Sequence, residues 1–130
     1  MTCYWSGLLH KIHLDDYSYI LKKRITKKPT MNQLIQLLKS YNRLTHNVIW
    51  NGTSLLEKEK EENYEAVRDY NEGGIYNGHL CSTCDYFLLL ICEIFNVNID
   101  HYYLGRKMTY RNKKHARKTL IFHSNRGHFW

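Results

Sequence analysis

From Asp85 to Phe95 the chain reads Asp-Tyr-Phe-Leu-Leu-Leu-Ile-Cys-Glu-Ile-Phe, a helical run that is apolar almost all round. A helix with no face suited to water must lie inside a core, covered by other elements. Its longest apolar stretch, Tyr86–Cys92, is far short of the roughly 20 residues that cross a bilayer. Ser82 or Thr83 stands before it as a helix cap. After Asn96 the period changes. Val97–Tyr103 alternates apolar and polar residues, and Lys118–His123 forms a second, more buried strand pattern. The polar stretch Gly105–Arg117 connects the two, with Tyr110 on a short strand within it.

Three further helices are expected upstream. The first follows Cys3, with Tyr4, Leu8, Leu9 and Ile12 at helical spacing. The second starts at the cap Thr30, after Pro29, and puts Leu34, Ile35, Leu37, Leu38 and Tyr41 on one stripe. The third opens at Thr53 or Ser54; with Ser54 as cap, Glu57 completes a capping box. It runs to about Tyr70 with Leu56, Tyr64 and Val67 facing inward, and Asn71-Glu72-Gly73-Gly74 ends it. Helices fill the first two-thirds and strands the last third, the pattern of an α+β fold with helices packed around a small sheet. At 130 residues there is room for one domain, 1–130. The abrupt end at Trp130 and the short lead before Cys3 suggest a piece cut from something longer.

Four cysteines, unevenly placed, do not make a disulfide framework. Met1–Leu14 carries Trp5, His10 and Lys11 where a signal peptide would be apolar. Both point to a reducing, cytoplasmic setting with free thiols and no membrane, in which the sequon Asn51-Gly52-Thr53 has no meaning. The net charge is +7, which suits acidic or phosphate-bearing partners or a plain solubilising surface. Basic residues cluster at Lys22–Lys28 and Arg106–Lys118, acidic ones at Glu57–Glu65.

Three arrangements of reactive residues stand out. Cys3 immediately precedes a helix, whose N-terminus lowers a thiol's pKa, and His128 ends the loop Ser124–Gly127 after the last strand. A cysteine and a distant histidine are a nucleophile and base when the fold brings them together. Otherwise they are a structural thiol and a loop imidazole. Cys81, also before a helix, is the second choice as nucleophile. Cys81-Ser82-Thr83-Cys84 with His123 and His128 has the ligand types of a zinc site, but one C-x-x-C without a second knuckle is weak evidence. His123-Ser124-Asn125 with His128 as a nuclease-like metal motif lacks nearby acidic ligands. Finally, Arg106–Lys118 interleaved with Tyr102, Tyr103 and Tyr110 suits RNA or an acidic partner. A solvated connector between strands is the ordinary alternative.

Three segments, in order, are similar to a known family. Cys3-Tyr4-Trp5-Ser6-Gly7-Leu8-Leu9, then Gly74–Leu80 leading into Asp85–Ile99, then Thr119–Phe129 with its His128-Phe129 pair, resemble the ovarian-tumour-type (OTU) cysteine proteases. The resemblance implies a papain-like core and a cysteine-dependent deubiquitinase without cofactor. Cys3 is then the nucleophile and His128 the base, and ubiquitin or a ubiquitin-like protein the partner. Gly74, Asn77 and Gly78 line the channel for its C-terminal tail, where glycines let a peptide approach the backbone. Compact domains of this family occur in viruses and mobile elements. Two departures are visible: the family's Asp-Gly-Asn before the cysteine is replaced by Met1-Thr2, and its Asn or Asp two residues after the histidine by Trp130. The first bears on the oxyanion hole, the second on how the imidazole is held.

Overall fold

The computed structural model describes residues 3–73, 79 and 81–130, with Cys3 described by its backbone. Among these, five helices and five strands occur in the order α1 (Cys3–Lys11), α2 (Leu14–Leu21), α3 (Met31–Ser40), β1 (Val48–Trp50), β2 (Thr53–Ser54), α4 (Glu57–Arg68), α5 (Tyr86–Phe95), β3 (Asn98–Tyr103), β4 (Arg106–Asn112) and β5 (Thr119–Ser124). The fold is mixed α+β, as the sequence pattern requires.

Helix α5 is the axis of the packing. Every residue from Phe87 to Phe95 is buried, with α2, α3 and α4 against it on one side and β1, β3 and β4 on the other. It starts at Asp85, whose carboxylate accepts from the Phe87 amide at 2.9 Å, so the cap is Asp85 and neither Ser82 nor Thr83. It stops at Asn96, which takes the left-handed conformation at φ 52°, a role asparagine tolerates well. The one charge buried within it, Glu93, is satisfied by the Asn47 amide at 2.9 Å, the Asn47 side chain at 2.8 Å and Arg43 at 3.1 Å.

The sheet order is β2-β1-β4-β3-β5. All neighbours are antiparallel except β3 and β5, which run parallel with Asn98 beside Thr119 and Tyr103 beside Ser124. The expected connector Gly105–Arg117 is thus largely β4, a seven-residue strand between β1 and β3, and Tyr110 lies fully buried on it. Its basic residues face outward between polar neighbours, which hid the alternation of Met108 and Tyr110.

Two hairpins and one helix were not expected from the sequence. Asn51 and Gly52 both have positive φ, 48° and 79°, the two-residue turn in which Asn-Gly excels. The sequon therefore marks the β1–β2 turn, and Thr53-Ser54 is strand and not helix cap. Helix α4 begins two residues later, where Glu59 Oε1 accepts from the Leu56 amide at 2.8 Å, and Leu56 faces solvent. Leu104-Gly105 makes the same kind of turn between β3 and β4, with φ 48° and 81°. Leucine pays a steric penalty there that glycine does not. Helix α2 is short, and Asp16 caps its N-terminus by accepting from the His13 amide at 2.9 Å.

The connection from β4 to β5 crosses beneath the C-terminal end of α5. Arg117 donates to the Phe95 carbonyl from Nε at 3.0 Å and from Nη2 at 2.8 Å, and its Nη2 also reaches Asp16 at 2.8 Å. A cation on the last carbonyls of a helix also meets the favourable end of its dipole. Lys118 approaches the same buried Asp16 at 2.9 Å. Replacing Arg117 by alanine leaves Asp16 with Lys118 as its one cation and the His13 amide as its other donor. A loss of about 1.5–3 kcal/mol in urea unfolding is expected, the range for hydrogen bonds to a charged group, since the carboxylate keeps one cation.

Candidate functional site

Helix α1 lies against α3 and β5, and its first two turns carry the contacts that matter. Tyr4 is buried with its ring 4.8 Å from Phe129 and 4.1 Å from His79. At Gly7 a Cβ atom would come within 2.5 Å of Phe129 Cδ1 and 3.2 Å of its carbonyl oxygen, so the glycine is what lets the last residues lie down on α1. Those residues form a tight hairpin with the end of β5. The His123 amide donates to the Trp130 carbonyl at 2.7 Å, the Trp130 amide to the His123 carbonyl at 2.8 Å, and the Asn125 amide to the His128 carbonyl at 2.9 Å. The chain neighbour of Cys3 thus touches the chain neighbour of His128, although the two lie 125 positions apart in the sequence.

His128 is exposed at the tip of that hairpin. Its ring lies 5.2 Å from the Trp130 ring, tilted by 30°. Trp130 in turn stacks on His123 at 5.7 Å, and His123 on Tyr102 at 5.2 Å. The aromatic ring at position 130 therefore packs beside the imidazole where a polar side chain would hydrogen-bond it. Cys3 begins α1. Gly74, Asn77 and Gly78, the expected channel residues, lie outside the described residues.

A second imidazole borders the same region and was not singled out from the sequence. His79 Nε2 lies 3.1 Å from Asp85 Oδ1, with both side chains almost wholly buried. Tyr86 meets the His79 ring edge-on at 5.3 Å. The same Asp85 caps α5, and its amide donates to Tyr110 Oη at 3.0 Å. Burial, and then the Asp85 carboxylate, push the phenols of Tyr4 and Tyr110 well above their ordinary values, so both remain neutral. An imidazole held by a buried carboxylate beside the first turn of α1 has the base-and-orienter relation of catalytic dyads. The only sequence signal was His79 six residues before a capping aspartate, which is too common to be read.

The remaining thiols are free, Cys81 and Cys92 buried and Cys84 half-buried. Cys81 is buried and lies 3.7 Å from Ser124 Oγ, which is 2.6 Å from His101 Nε2. Burial lowers the His101 pKa and raises that of Cys81, and it pushes Cys84 and Cys92 up to about 12. A thiol raised in this way is largely protonated at neutral pH, which disfavours Cys81 as a nucleophile relative to a thiol at a helix start. His123, offered with them as a zinc ligand, is sandwiched between Tyr102 and Trp130. Among the described residues no group of three His, Cys, Asp or Glu stands in metal-binding reach. The basic stretch is partly neutralised within the molecule. Lys107 and Arg111 pair with Asp100, and Arg117 and Lys118 with Asp15 and Asp16. No helix among the described residues is long and apolar enough to cross a membrane.

No family profile, curated protein or solved structure matches the chain.

Two outcomes test this geometry. Gly7→Ala forces Phe129 off α1, and overpacking of this kind costs about 1–3 kcal/mol; urea unfolding reads the loss, and the amide resonances of 128–130 move with it. With a thiol reagent at pH 8, Cys81, Cys84 and Cys92 stay unmodified in the folded protein and react fully in denaturant, as mapped by peptide mass.

Proposed function

We propose that the chain is a cysteine-dependent isopeptidase with an OTU-like, papain-like core, acting on the C-terminal tail of ubiquitin or a ubiquitin-like protein. The observation that carries the reading is the seating of Phe129 on Tyr4 and Gly7, which draws the start of α1 and the His128 hairpin into one region. An α+β core with a cysteine at a helix start and an imidazole on the loop after the last strand supports the same class.

In this reading the α1 N-terminus stabilises the Cys3 thiolate. Sulfur bonds to the isopeptide carbonyl carbon, and backbone amides of the first turn receive the developing oxyanion. The carbon–nitrogen bond then breaks as an imidazolium gives its proton to the departing lysine amine. Water cleaves the thioester, passing a proton back to the imidazole and returning the thiolate. His128 is the base that the resemblance assigns. His79 is a second candidate for the role, favoured by its contact with the buried Asp85. The basic-module reading, in which Arg106–Lys118 holds RNA or an acidic partner, is weakened by the internal pairing of Lys107, Arg111, Arg117 and Lys118.

A ubiquitin probe with a C-terminal thiol-reactive group tests the proposal. One adduct is expected, at Cys3, lost in Cys3→Ala. Turnover of a ubiquitin isopeptide substrate falls by at least about 10²-fold in whichever of His128→Gln and His79→Gln removes the base. Absence of any adduct with folded protein, together with salt-sensitive RNA binding, would sink the protease reading in favour of the basic module.

A further inference from the structure

The buried side chains of β3, β4 and β5 fall at alternating positions: Ile99 and His101, Met108 and Tyr110, Leu120 and Phe122. Alternation of this kind turns one face of the sheet to the core. The side chains between them stand on the opposite face, and all are half-buried or exposed. Register draws one row across that face. Lys107 lies beside Tyr102, Tyr102 lies beside His123, and His123 exchanges backbone hydrogen bonds with Trp130. The rings follow the row: the planes of Tyr102 and His123 differ by 15° and those of His123 and Trp130 by 16°. Lys107 Nζ stands 5.8 Å from the Tyr102 centroid. Trp130 ends the stack with 45% of its surface exposed. An indole backed by stacked rings is already ordered, so a further flat ring joins it at little entropic cost.

The charge around this row has one sign. From Asp100 to Trp130 the chain carries eight lysines and arginines and a single carboxylate, Asp100 itself. Arg117 and Lys118 are taken up by Asp15 and Asp16 of α2. Lys107 and Arg111 share Asp100, at 3.8 Å and 2.7 Å, so one carboxylate stands against two cations. Arg106, beside the β3–β4 turn, and Arg126, in the hairpin that carries Trp130, are exposed. An acidic peptide would use the cations and leave the indole idle, and a nucleic-acid duplex keeps its base faces inside. A chain that alternates phosphates with accessible flat bases uses both features.

We propose that the outer face of the sheet binds single-stranded nucleic acid, with a base stacking on Trp130 at the end of the Tyr102–His123 row and the neighbouring phosphates drawn by Arg106, Lys107 and Arg126. This surface is not the linear stretch Arg106–Lys118. Tyr110 of that stretch is in the core and Arg117 and Lys118 face α2, whereas His123 and Trp130 come from β5 and the hairpin after it. It does not depend on the protease reading, and a Cys3 adduct with the ubiquitin probe would stand beside it.

Fluorescence anisotropy with a labelled oligo(dT) of about 12 nucleotides, within the usual footprint of such sites, tests it. Saturable binding is expected at low salt and weakens steeply as salt rises. The Trp130 indole and the amides of Tyr102 and His123 shift in ¹⁵N spectra. Trp130→Ala weakens binding by about tenfold and Trp130→Phe by less, since a phenyl ring still stacks, while thermal melts of both stay close to wild type. Arg106→Glu with Lys107→Glu weakens binding by about tenfold or more and flattens the salt dependence. Lys22→Glu with Lys23→Glu, in the other basic cluster, has a far smaller effect. The proposal is overturned if Trp130→Ala binds as wild type does, or if the Lys22 and Lys23 reversal costs as much as that of Arg106 and Lys107. It is also overturned if duplex DNA or polyglutamate, at equal charge concentration, displaces the oligonucleotide as well as unlabelled oligo(dT) does, since neither offers an open base.

Discussion

A helix without a polar face has to be surrounded, and the architecture follows from surrounding α5. Burying one large apolar side chain is worth about 1.5–3 kcal/mol, and α5 buries a continuous run of them from Phe87 to Ile91. Three helices on one side and three strands on the other supply the cover. The helix also carries carboxylates inward, Asp85 at its cap and Glu93 in its last turns, and a buried charge must be met by donors. Asn47 and Arg43 are held by Glu93 just before β1. At the other end Asp85 gathers the Phe87 amide and His79, while its own amide is held by Tyr110 of β4.

The same economy governs the crossing from β4 to β5. That segment has to pass the exposed carbonyls at the end of α5, and Arg117 satisfies them while joining α2 through Asp16. Once β5 is laid parallel to β3, its continuation turns back as the His128 hairpin, and Phe129 finds α1 only because Gly7 has no side chain. The chemistry that can operate at this seam is set by burial. Burial raises the pKa of the Cys81, Cys84 and Cys92 thiols and so disfavours their ionised forms.

Much of the fold was legible because it follows from local pattern. The all-round apolar character of Tyr86–Phe95, the Thr30 cap and the alternation after Asn96 identified α5, α3 and β3. Strand β4 was harder, since its buried Met108 and Tyr110 sit among arginine, lysine and asparagine that pair with Asp100 or face water. The Asn51-Gly52 turn was present as a hairpin signal but stood beside a Thr-Ser pair that also reads as a helix cap, and local chemistry alone does not rank the two. Cys3 and His128 could be named as a pair, whereas His79 could not, because its meaning depends on a buried carboxylate contributed by the start of α5.

The sequence by itself determined that this chain forms a mixed α+β fold around a central apolar helix, because hydrophobic period and capping act over a few residues at a time. It also set the strong positive bias of the segment between Asp16 and Glu57. Tertiary structure alone decided which distant groups meet: Tyr4 with His79 and Phe129, and Arg117 with Asp16. These contacts arise when whole elements pack to cover α5, and no short-range propensity encodes them.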